Sequence, residues 1–271
     1  MSWQQSVNQA VGVSRLGDIK DFVRHGPSIG SPIDTFYSAS REILMVGTPA
    51  FLRAHPPMGP LLLVGLVSAT ENYFRDIFAR IIQVCPVAKE YSAKQTINFG
   101  SVIWHGSRDM ERGAFEHISF ANSDTIIKSA NNFLGFQIKA TGALDEFAKV
   151  CELRHGIVHA GAVVSGKNAV RLHIASSGRT LHINIDFAQL QECGDVCNTL
   201  VASVNTELFV ELARRWAQSW PKLASWDPTR KHQLFKRIWQ AFYSSIDNAN
   251  HSIPDNLSML KCKNRVAATF T

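Results

Sequence analysis

Arg154, His155 and His159 fall within six positions of one stretch, 152-ELRHGIVHAGA-162. Histidine moves protons near neutral pH, and an arginine guanidinium grips phosphate oxygens in a bidentate fork. Together they suit acid–base chemistry at a phosphate ester. One group takes a proton from the nucleophile, another returns one to the leaving oxygen, and a cation stabilises the crowded phosphorane. That chemistry requires no metal, so no cofactor is expected. A rival reading is a zinc site, because Cys151, His155 and His159 recur at i, i+4 and i+8. It lacks an identifiable fourth ligand, and Arg154 beside the stripe would repel a cation. A third reading has two surface histidines at a helix end and a buried arginine strut.

The elements that must position these groups come next. The stretch closes an apolar segment, 143-ALDEFAKVCELRHGIVHAGAVV-164, which reads as a helix over about 142–163, with Gly161 and Gly166 as stop signals. Leu144, Phe147, Cys151, Arg154 and Val158 share one stripe at helical spacing, bordered by Val150 and Ile157. Arg154 is therefore predicted on the apolar face, where it needs an anionic partner. His155 and His159 share a neighbouring face with Glu152, and His159 lies near the helix C-terminus, where the dipole favours a cation. An earlier helix, over about 60–84 with Pro60 at its first position, offers the partner. Glu71 falls in its apolar row of Leu63, Val67, Phe74 and Phe78. A carboxylate in a core stripe is rare unless paired. Glu71 is expected either to reach Arg154 or a histidine across the bundle, or to be satisfied by Arg75 one turn on.

Around these two helices the pattern is mainly helical. Helices are expected over about 34–54, 123–134, 187–218 and 228–244, with 97–109 as loop or short strand and a mixed, loosely ordered tail from 245. Two short alternating runs flank Ser-Ser-Gly in 169-AVRLHIASSGRTLHINIDF-187, a β-hairpin signature. The expected fold is a mainly α bundle with a small β-hairpin insertion and a C-terminal helical extension. Residues 1–34 read as an N-terminal extension, 35–218 as the helical domain and 219–271 as a basic extension and tail. No apolar run approaches the roughly 18 residues of a membrane span. The N-terminus lacks the pattern of a secretory signal. The five cysteines are odd in number and scattered, so no disulfide framework is expected and a reducing cytoplasm is.

The charge is uneven. The chain carries 28 Lys/Arg against 22 Asp/Glu, and residues 210–271 hold ten of the former and four of the latter, which is the whole excess. A localised basic surface attracts polyanions, although it also serves as a solvated face. Arg214, Arg215, Lys236 and Arg237 are the candidate RNA contacts. Trp216, Trp220, Trp226 and Trp239 alternate with these basic pairs, as in surfaces that stack on single-stranded bases. Their helical spacing is more often that of a packed core stripe.

The run Arg154-His155-x-x-x-His159 resembles the R-(N/H/D)-x-x-x-H signature of HEPN domains. It lies late in an amphipathic helix, and the earlier apolar helix carries 71-ENYFR-75. The resemblance covers about residues 35–215. It implies a helical bundle acting as a metal-independent endoribonuclease at a site shared by two protomers, in toxin–antitoxin or antiphage defence. It further implies RNA as substrate, a homodimer, and an antitoxin or other regulatory partner. By position, Arg154 and His159 match the invariant pair, His155 the variable polar site, and Glu71 a supporting acid. Gly161 stands where some HEPN toxins carry a tyrosine modified by a partner nucleotidyltransferase, so that control is not expected here. A HEPN-like scaffold or nucleotide-binding module without catalysis is the alternative that the same resemblance allows.

Overall fold

Pro49 decides where the first helix stops. The computed structural model describes residues 12–24, 30–106, 109–175 and 178–270. One helix was expected over 34–54, but two form: α1 (Pro32–Val46) and α2 (Pro49–Ala54). Proline drives the residue before it into extended backbone. Thr48 obliges, at φ −68° and ψ 155°, and its side chain then caps α2 by accepting from Phe51 N at 3.2 Å.

The long apolar helix follows as α3 (Met58–Val84). It is buried on nearly every side, through Leu63, Leu66, Val67, Tyr73, Phe74, Ile77, Phe78 and Ile81, so it has to be surrounded. After it come α4 (Pro86–Ser92), α5 (Phe99–His105), α6 (Met110–Gly113), α7 (Ser123–Ser129), α8 (Thr141–Ala160), α9 (Gly166–Arg171) and α10 (Phe187–Arg214). The chain ends with α11 (Lys231–Phe242), α12 (Ser245–Ala249) and α13 (Met259–Phe270). Helices α1, α8, α10 and α11 all pack on α3. The described residues thus form an all-α protein of thirteen α-helices, with no strand among them. No helix among them is long and apolar enough to cross a membrane.

The β-hairpin expected over 169–187 is absent from the described residues. Ser165 accepts from Asn168 N at 3.3 Å and starts α9, so Ala169–Arg171 is helical. The other arm makes one isolated antiparallel bridge, His182 with Val163. Residues 176 and 177, at the expected turn, lie outside the described residues. The expected loop at 97–109 is also partly helix: Asn98 caps α5, accepting from Gly100 N at 2.8 Å, and Gly106 ends it at φ +58°. Residues 107 and 108 are not described. The tail expected to be loosely ordered forms α12 and α13. One hydrophobic cluster runs from Ile33 to Phe242, and Met259, Cys262 and Val266 of α13 pack against it.

Two helices end in a widened π turn, α7 in Ala130–Leu134 and α10 in Arg215–Ser219. Arg215 ties them together. Its guanidinium donates to Leu134 O and Gly135 O, both at 2.7 Å, and its Nε donates to Glu211 at 2.6 Å. The side chain is 6% exposed. Arg215 is therefore an internal strut, which corrects its assignment as an RNA contact. Its neighbours Trp216 and Trp220 are fully buried, so these tryptophans form the core stripe rather than a stacking surface. Arg215→Ala strands two carbonyls. It is expected to lower the urea-unfolding free energy by about 3 kcal/mol, whereas Arg237→Ala should cost less than about 0.5 kcal/mol.

Candidate functional site

α8 enters the core and then leaves it. Leu144, Phe147, Val150 and Cys151 are buried, but Val158, on the same predicted stripe, is 45% exposed. Arg154 sits at the crossing point. It is half-buried, and its Nε is shut off from water without a hydrogen-bond partner. No ion pair reaches it among the described residues. The next residue, His155, and His159 one turn after it are exposed, with ring centroids 4.7 Å apart.

Glu71 does not cross the bundle to Arg154 or to a histidine. Its Oε1 accepts from Phe120 N at 2.8 Å, Ser119 Oγ at 3.0 Å and Arg75 Nη2 at 3.2 Å. Arg75 Nη2 also donates to Ile118 O at 3.1 Å. The buried carboxylate is thus satisfied by Arg75 and by the loop at 118–120, which it pins to α3. Local donors win because they are already fixed on the same helix and on a neighbouring backbone, so little side-chain freedom is lost in meeting them. Glu71 and Arg75 are positioned as supports of the core, apart from the histidines.

Glu152 shares the histidine face, as expected, and is anchored to α9. Its Oε2 accepts from Asn168 Nδ2 at 2.7 Å, its carbonyl accepts from the same nitrogen at 3.1 Å, and Arg171 pairs with its Oε1. Beside this clamp lies a polar cleft of about 710 Å³ between the start of α7, α8 and α9. His155, Asp124, Asp145, Lys167, Arg171 and His173 line it, so it presents both signs of charge. Sequence reasoning missed Asn168, Arg171 and His173. The cap signal 165-SGKN-168 was available, but the hairpin reading of the next residues hid it.

The end of α8 is held by unusual backbone. Gly161 and then Ala162 both take positive φ, at +60° and +63°. Ala162 N donates to Gly156 O at 3.1 Å, and Ala162 O accepts from Ile183 N at 2.7 Å. Left-handed backbone costs a non-glycine residue about 1–2 kcal/mol, so the surrounding bonds impose it. The segment that follows His182 presses on two glycines. A Cβ on Gly156 would meet Ile183 Cδ1 at 2.5 Å, and one on Gly59 would meet Ile185 O at 1.8 Å. The segment 183–185 thus straps the motif helix and the start of α3.

The zinc reading does not fit this geometry. Cys151 is buried, with its thiol pushed well above the usual range by burial, while His155 and His159 stand exposed. No group of three His, Cys, Asp or Glu among the described residues could hold a metal ion. The other predicted contacts are dispersed. Arg214 is half-exposed and held bidentate by Glu211 at 2.7 and 2.8 Å, whereas Lys236 and Arg237 are exposed on the outer face of α11 without ion pairs among the described residues.

No known protein family, curated protein or solved structure matches the chain.

The strap makes a sharp prediction. Gly59→Ala and Gly156→Val should each cost about 1–3 kcal/mol in chemical denaturation, through overpacking. Gly142→Ala, at the start of α8 with nothing within 4 Å of the new methyl, should be neutral or stabilising.

Proposed function

We propose that the protein is a metal-independent endoribonuclease of HEPN-like fold that cuts RNA by transesterification at the end of α8. The observation that carries this reading is the half-buried Arg154, without an ion pair among the described residues, immediately before His155 and little more than one turn before His159, two exposed histidines in contact. An RNA phosphate is an acceptor of the right charge and shape for the arginine. In the proposed reaction the 2′-oxygen attacks phosphorus and the bond to the 5′-oxygen breaks. His159 takes or gives a proton, and Arg154 holds the phosphate oxygens as charge develops. His155 is the second proton carrier or positions the first. The products carry a 2′,3′-cyclic phosphate and a free 5′-hydroxyl, so protons balance and no oxidant or metal is consumed.

A twofold contact between copies would double this small set. The apolar stripe of α8 emerging at Val158, with exposed Val170 of α9 and Ile174 just beyond it nearby in the chain, supports such a contact. Lys236 and Arg237 supply basic surface for the RNA backbone, and an antitoxin or regulatory partner would restrain the enzyme. The five free thiols, four of them buried, suit a reducing cytoplasm.

The test is to incubate the full chain with tRNA and with mRNA, with and without EDTA. Cleavage is expected in both, with cyclic-phosphate ends. His159→Ala and Arg154→Ala should each slow it about 100-fold or more while retaining the wild-type circular dichroism spectrum. Intact RNA with the wild type, or equal cleavage by His159→Ala, would sink the reading.

A further inference from the structure

A cavity of about 340 Å³ lies where α1, α10 and α11 meet the 252–257 segment that leads into α13, within the range in which small molecules are held. Five aromatic side chains line it: Tyr37, Phe209, Trp239, Phe242 and Tyr243. Phe209 meets Trp239 at 76° with ring centroids 6.4 Å apart, and Phe242 at 57° and 5.8 Å. The rings therefore form inclined walls instead of one flat stack. Phe209, Trp239 and Tyr243 are half-buried, so packing leaves part of each ring open.

The polar groups divide by whether they are already engaged. Asn205 accepts from Tyr73 Oη at 3.2 Å and donates to Phe242 O at 3.0 Å. Thr206 donates to Ala202 O at 3.0 Å, and Ser244 donates to Asp34 at 2.9 Å. Asp255, which is exposed, pairs with Arg265 at 3.2 Å. Asp247 is different. It is half-buried, and no ion pair reaches it among the described residues, not even from Arg41, which lines a neighbouring groove with it. The Tyr37 hydroxyl donates to Asp247; burial, and then the Asp247 charge, hold that hydroxyl protonated well above the usual tyrosine range. Tyrosine supplies a hydrogen bond but no counter-charge. No lysine, arginine or histidine is among the described residues that line the cavity.

We propose that this cavity binds a small quaternary ammonium compound, its methyl-covered cation set against the aromatic walls and beside Asp247. Aromatic faces and a carboxylate both attract positive charge. Hydrogen bonding then chooses among cations. A primary ammonium brings three N–H donors that need acceptors, and the side-chain acceptors of Asn205, Thr206 and Ser244 are drawn into the wall's own bonds. A quaternary ammonium brings no donor, and its methyl groups suit apolar surface. None of the lining residues belongs to α8 or α9, so this site stands apart from the proposed nuclease.

The experiment is titration calorimetry of the full chain with choline, its neutral isostere 3,3-dimethylbutan-1-ol, and ethanolamine as probes. Choline is expected to bind saturably, and the other two at least about tenfold more weakly. Asp247→Asn keeps the shape and an acceptor for Tyr37 but removes the charge, and should weaken choline about tenfold. Trp239→Leu keeps an apolar wall without a ring, and should weaken it about fivefold or more. Melting curves check that both variants are folded, and the comparison of the three probes on the wild type needs neither. The proposal is overturned if choline fails to bind saturably, if the neutral isostere or ethanolamine binds as tightly, or if either folded variant binds choline like wild type.

Discussion

A helix that is apolar on nearly every side has to be enclosed over most of its surface, and α3 imposes that constraint on this chain. Helices α1, α8, α10 and α11 are arranged to enclose it. The enclosure explains why the core is one cluster from Ile33 to Phe242 and why the two π-ended helices are tied by a buried arginine. It also explains the treatment of Glu71. A carboxylate embedded in the central helix has to be neutralised at once, so Arg75 and the 118–120 backbone are recruited as its shell. The carboxylate is then committed to the fold and is no longer available to a distant site.

α8 obeys the same constraint only for its first three turns. There it covers α3 and presents Leu144, Phe147 and Cys151 inward. Beyond Cys151 the stripe continues in sequence but not in burial. Arg154 is therefore caught between two media, too deep for easy hydration and too shallow for a partner inside the core. The histidines beyond it stand in solvent, with Glu152 held away by α9. This division of one face into an anchored acid and two unanchored bases gives the end of α8 its chemical character.

Much of this was legible in the sequence. The apolar row of α3, the extent of α8 and the adjacency of His155 to His159 follow from helical spacing alone. Two kinds of information did not. Alternation at 169–187 was read as strand pairing, but a serine cap at 165 and the buried Asn168 turned its first part into helix. The period of a short run cannot report a competing cap just upstream. The partners of Glu71 and Arg215 were equally hidden. Both choose backbone atoms from remote loops, and a carbonyl or amide carries no signature in residue type. Arg214 and Arg215 are adjacent and chemically alike, yet one faces solvent and the other is a strut, a difference set by the π turn at their junction.

The strap at 183–185 also bears on when the molecule is complete. Ile185 closes over Gly59 across well over a hundred residues of intervening chain, and Ile183 closes over Gly156 from a later point than α8 itself. Contacts of such separation form late, because the loops between them must be closed first. During synthesis the start of α3 and the end of α8 therefore remain unlocked until the chain beyond residue 185 has left the ribosome. An unfinished chain can hold every residue of the motif and still lack the backbone that presents it.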